Sequence, residues 1–127
     1  MKAKFIYESI DNILKPKSEE DIIKELSKIS KKDLDKKFLY AIKFKLINQI
    51  DLLIKAGANV NFQRGKFTPL HYAIFDEDIN IIKMLLDKGA NVNIKNSEGE
   101  TPLKYALSIS FHRDDIIDLL KKYGAKE

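Results

Sequence analysis

The chain has 127 residues, one domain's length and enough for a contiguous apolar core. It contains no cysteine, which excludes disulfides and thiolate chemistry, and no apolar run near the ~20 residues of a membrane-spanning helix. The net charge of +4 sits in the first half: residues 1–60 hold 13 Lys/Arg against 9 Asp/Glu, whereas residues 61–127 hold 10 of each.

The opening Met1–Glu8 has lysines but no following apolar region long enough for a secretory leader. A cytoplasmic location is the expectation, with secretion as an effector left open. Phe5, Ile6, Ile10, Ile13 and Leu14 form an apolar-periodic stretch that Pro16 breaks. Ser18 suits an N-cap, and Glu19, Glu20 and Asp21 suit the positive end of the helix dipole that follows. Ile22, Ile23, Leu26 and Ile29 give that helix a core-facing stripe. Ser30 is expected to cap the next helix, which carries Leu34, Phe38, Leu39 and Ile42. Residues 1–30 therefore read as one or two capping helices. The rival is an amphipathic segment that docks on a partner or a membrane, and its acidic residues weaken the lipid case.

From residue 31 the chain repeats itself. Gly57-Ala58-Asn59-Val60-Asn61 returns as Gly89-Ala90-Asn91-Val92-Asn93, an offset of 32. Thr68-Pro69-Leu70-His71-Tyr72-Ala73 returns as Thr101-Pro102-Leu103-Lys104-Tyr105-Ala106, an offset of 33. Tyr40-Ala41 matches Tyr72-Ala73, with Lys36-Lys37 in place of Thr-Pro. Each motif has a physical reading. Thr68 and Thr101 suit N-caps, and Pro69 and Pro102 the first helical position, where a missing N–H costs nothing. Gly57, Gly89 and Gly124 follow apolar segments as helix stops. Ala41, Ala73 and Ala106 are small enough for close helix packing. Ile79, Ile82, Leu85 and Leu86, then Ile116, Ile117, Leu119 and Leu120, form core-facing stripes. Lys121 stands where the preceding unit has Leu86, which suggests a polar closing face for the last unit. Ala106 to Gly124 spans two residues more than Ala73 to Gly89, so the loop around Ser108–Asp114 is longer, and Phe111 is expected to tuck beneath it.

A period near 33 residues with these two motifs resembles the ankyrin repeat. The resemblance implies an all-α solenoid of paired antiparallel helices with β-turn fingers: a degenerate unit at 31–61, a full one at 62–95 and a closing one at 96–127. It also implies a protein–protein interaction module with a protein partner, no cofactor, no small-molecule substrate and no catalysis, expected to be a monomer. Ankyrin partners contact finger tips and exposed first-helix positions on the concave face. The matching residues here are Tyr40 and Lys43; Arg64, Lys66 and Phe67; Tyr72, Phe75 and Asp76; Glu100; and Tyr105 and Ser108. Tyr40, Tyr72 and Tyr105 could form an aromatic strip, and aromatic anchors dominate interface energetics. His71 is structural in that family, bonded to the Thr hydroxyl and to backbone.

Candidates for chemistry are few. His112 has no second His or Cys at ligand spacing, and Asp114 and Asp115 make it a weak metal signal. Asp76-Glu77-Asp78 lacks the glycine-bearing loop of a calcium site and reads as solvated loop charge. No phosphate-binding glycine loop or nucleophile–base pair is present. Two alternatives stand beside the interaction module. One is an inhibitor, immunity or host-directed effector protein that sequesters its target. The other is nucleic-acid binding through the lysine-rich half, which the interspersed acids and two arginines make unlikely.

Overall fold

The computed structural model describes residues 17–109 and 113–127. The expectations for Phe5–Pro16, Phe111 and His112 lie outside the described residues. Among the described residues seven helices follow in order: α1 Glu19–Leu26, α2 Lys31–Lys43, α3 Ile47–Lys55, α4 Pro69–Phe75, α5 Ile79–Asp87, α6 Pro102–Ser108 and α7 Asp114–Lys122. No strand forms among the described residues; Arg64 and Phe67 make a single antiparallel bridge.

Local chemistry sets the helix starts as expected. Ser18 and Ser30 accept hydrogen bonds from the Asp21 and Asp33 amides, both at 3.2 Å. Thr68 and Thr101 accept from the amides of His71 and Lys104, with proline opening each helix. Asp78 caps α5 through the amides of Asn80 and Ile81, so part of the acidic triplet is a helix cap rather than loose loop charge. Two helix ends were hidden in the sequence. Lys45 and Glu77 take positive φ (58° and 55°) just after α2 and α4. The amide three residues past each helix, on Leu46 and Asp78, then reaches back to the carbonyl of Ala41 or Ala73. Neither residue is glycine, so the signal that marks such a stop is missing.

Within each repeat the two helices pack as a hairpin: α2 on α3, α4 on α5, α6 on α7. First helices stack in a row, α2 on α4 on α6, while α1 packs on α3 and α5 on α7 in the row of second helices. The core runs between the rows through Phe38, Ile42, Ile50, Leu70, Ile74, Ile82, Leu85, Ile116 and Leu120. Ala41, Ala73 and Ala106 are buried where first helices meet. Ile81, missing from the expected stripe, is buried too, while Ile79 and Leu119 are half-buried. Helix α1 differs from the rest. Its expected stripe of Ile22, Ile23 and Leu26 is only half-buried, and it has no fully buried residue. Lys121 faces solvent.

Repeats are also joined by a polar ladder along the Asn-x-Asn turns. Asn59 and Asn91 each accept from the amide two residues on, at 2.9 and 3.0 Å. The second asparagine of each turn reaches the next repeat: Asn61 accepts from the Asn91 amide at 2.8 Å, and Asn93 from the Lys126 amide at 2.8 Å. Asp35 does the same for the Asn59 amide at 3.1 Å.

Candidate functional site

The first-helix row and its fingers carry every residue expected to contact a partner. The first finger turns at Gly65, whose φ of 61° strains a side-chain-bearing residue, and returns at Phe67. The second is built by Asn96, buried, whose side-chain oxygen accepts from the amides of Glu98 and Glu100. Its amide group also reaches the Glu100 carboxylate at 3.3 Å, so Glu100 is committed to its own finger.

His71 fastens that finger to α4. Its Nε2 lies 2.8 Å from the Glu100 carbonyl and its Nδ1 2.7 Å from the Thr68 hydroxyl. A carbonyl only accepts, so Nε2 carries the proton and Nδ1 accepts from Thr68. Burial holds the imidazole below its usual range and outweighs the Glu100 carbonyl, which favours the charged form. The neutral ring therefore bridges two repeats, which is the structural role expected of it. Lys104, in the equivalent place, is exposed.

The aromatic residues form two groups rather than one strip. Phe67 is the hub of the first: its ring centroid lies 5.8 Å from Tyr72, 5.8 Å from Phe75 and 6.0 Å from Tyr105. Tyr105 also meets the edge of His71 at 5.6 Å, and burial raises its phenol above the usual range. Phe67, Tyr72 and Tyr105 are half-buried, and edge-on contacts of this kind rigidify a platform. Tyr40 stands apart, packed on Phe44 at 4.4 Å. Tyr40, Phe44 and Phe75 are 57%, 54% and 56% exposed, and Ile47 is 42% exposed. Lys45, after Phe44, reaches Asp76, after Phe75, at 3.8 Å. The exposed aromatics lie at the C-terminal ends of α2 and α4. Phe44 belongs with them, a position the sequence offers at the same repeat place as Asp76. Ile47 had no signal, since it opens a second helix.

Charges on this face are partly used internally. Lys66 binds Glu98 on the next finger at 2.9 Å, which raises the ammonium and lowers the carboxyl from their usual values. The expected basic finger is therefore half neutralised. Asp76 shares Lys45 with Asp78. The Ser108 hydroxyl donates to the Tyr105 carbonyl at 2.7 Å. Lys43 and Arg64 are exposed, with no ion pair among the described residues. Among those residues no three His, Asp or Glu side chains gather as a metal site would require, and no helix is long and apolar enough to cross a membrane.

No curated protein matches the chain. A family model described as ankyrin repeats, in three copies, matches residues 38–127. Ankyrin repeats are generally protein–protein interaction modules and typically carry no enzymatic activity. With stacked helix pairs, Thr-Pro helix openings and that match over most of its length, the chain belongs to the ankyrin repeat family.

Proposed function

We propose that the protein binds a segment of another protein through its first-helix face, anchored on Tyr40, Phe44 and Phe75. The supporting observation is that these three rings are each more than half exposed, Phe75 against the platform of Phe67 and Tyr40 against Phe44. Aromatic side chains on such a platform lose little entropy on binding and bury large apolar areas. Lys43 and Arg64 flank the anchors and favour acidic groups in the partner segment. Phe67, Tyr72 and Tyr105 shape the platform, with Lys66, Asp76, Glu100 and Ser108 at its margin. Sequestration of a target, as an inhibitor or effector would do, uses the same surface. Nucleic-acid binding has less support, because Lys45 and Lys55 face Asp76, Asp78 and Asp51, and Lys17 faces Glu25.

The test compares the protein with its Tyr40→Ala/Phe44→Ala/Phe75→Ala variant in capturing proteins from the source lysate. Circular dichroism confirms that the variant folds. A captured protein should bind the variant roughly 100-fold more weakly, as expected for loss of a hot-spot cluster. Equal capture by the folded variant overturns the proposal.

A further inference from the structure

One row of side chains runs the length of α2. Lys32, Lys36, Tyr40 and Phe44 follow one another at intervals of four, which sets them side by side on one helix face. All four are exposed, and the rings of Tyr40 and Phe44 meet at 4.4 Å. The row changes character half-way. At its N-terminal end Lys32 and Lys36 line, with Arg64 of the first finger, a hollow of about 260 Å³ that the buried Phe62 also lines. Two lysines four apart repel, and Lys32 stands in the first turn, at the positive end of the helix dipole. None of these three cations has an ion pair among the described residues. Asp35 lines the same hollow, but its Oδ1 accepts from the Asn59 amide at 3.1 Å. The C-terminal end of the row is aromatic. Of the two lysines there, Lys45 is balanced by Asp76 and Asp78, which leaves Lys43.

We infer, resting on the first-helix face as the partner surface, that the segment bound there is extended and carries acidic side chains about four residues from apolar ones. From Lys32 to Tyr40, and from Lys36 to Phe44, is eight residues, about 12 Å of helix. An extended chain covers that distance in about four residues at ~3.3 Å each, and residues four apart point to the same side of it. One segment can therefore lay carboxylates on Lys32, Lys36 and Arg64 and apolar side chains on Tyr40 and Phe44. A carboxylate between the lysines replaces their repulsion by attraction to both and complements the helix dipole. A nucleic-acid backbone needs cations that track it along the face, whereas here three of them crowd one end.

The test uses the full-length protein and two synthetic probes, the peptide Glu-Ser-Glu-Ser-Leu-Ser-Leu and its reversed sequence, because the row does not set a chain direction. In amide NMR titrations at least one should bind, shifting Lys32, Lys36 and Arg64 together with Tyr40 and Phe44. The counterpart with lysine in place of glutamate should bind roughly tenfold more weakly. Raising salt from about 50 to 300 mM should weaken the acidic peptide roughly fivefold. The Lys36→Gln/Arg64→Gln variant, changed at two exposed positions, should weaken it to a similar degree. No binding by either acidic peptide, equal binding by the lysine counterpart, or unchanged affinity in that folded variant overturns the inference. So does a thymidine oligonucleotide that shifts the same amides at lower concentration than either peptide. The Tyr40→Ala/Phe44→Ala variant separates the two levels. Loss of peptide binding there, with none in Lys36→Gln/Arg64→Gln, overturns the acidic preference alone. Full binding there overturns the aromatic surface itself and the inference with it.

Discussion

Thr68-Pro69-Leu70-His71 and Thr101-Pro102-Leu103-Lys104 open two helices of the same length, seven residues each, with the same threonine cap. They differ in what comes next. The first is followed by the Asn96–Glu100 finger, whose carbonyl reaches back to the imidazole of His71, while Lys104 points into solvent with no side-chain hydrogen bond among the described residues. The shared part of the motif builds a helix; the fourth residue decides whether the helix also holds its neighbour. A histidine belongs where a finger folds over it, because only a neutral ring can accept from threonine and donate to a carbonyl at once.

His71→Ala should have the largest effect. It removes two buried imidazole hydrogen bonds, leaving the Glu100 carbonyl with only the Asn96 amide and the Thr68 hydroxyl proton without its acceptor, at a cost of about 2–3 kcal/mol in urea unfolding. Lys104→Ala should stay within about 0.5 kcal/mol. If the two losses were equal, the bridge would carry no energy of its own. The caps sharpen the contrast: Thr101→Ala should cost about 1 kcal/mol as a simple N-cap, and Thr68→Ala up to about 2 kcal/mol because the imidazole loses its donor as well.

Acid provides the gentlest probe. The imidazole of His71 titrates below its usual range in the fold, so between about pH 6.5 and that lower value the unfolded chain binds the extra proton. Stability then falls as pH drops through the window and levels off beneath it. Urea midpoints at pH 7.5 and 5.5 should differ more for the native protein than for His71→Ala. An equal difference would mean that His71 is not the group responsible.

Sequence legibility follows the range of the interactions. The period, the serine and threonine caps, the helix-opening prolines and the buried alanines are local or strictly repeated, and all are found where expected. The aromatic strip was legible only as a row of tyrosines at one repeat position. Its actual hub, Phe67, joins a finger to two helices, and no local pattern encodes a contact of that kind. Lys66 fared likewise: its charge was readable, its Glu98 partner on the next finger was not. Lys45 and Glu77 hid their turns because glycine is the usual mark of positive φ. The stripe of α1 was readable, but its shallow burial was not, because periodicity marks a face without saying how deeply it is covered.

The asparagine ladder has a consequence for how such an array tolerates change. At each step the acceptor is a side chain, but the donor is a peptide N–H, supplied by Asn59, Asn91 and Lys126 alike. The clasp is therefore blind to the residue it grips and excludes only proline. A unit spliced in between two others needs to bring one asparagine and an ordinary backbone to be fastened on both sides. Register between units is thus kept by a rule that leaves nearly every other surface residue free to vary.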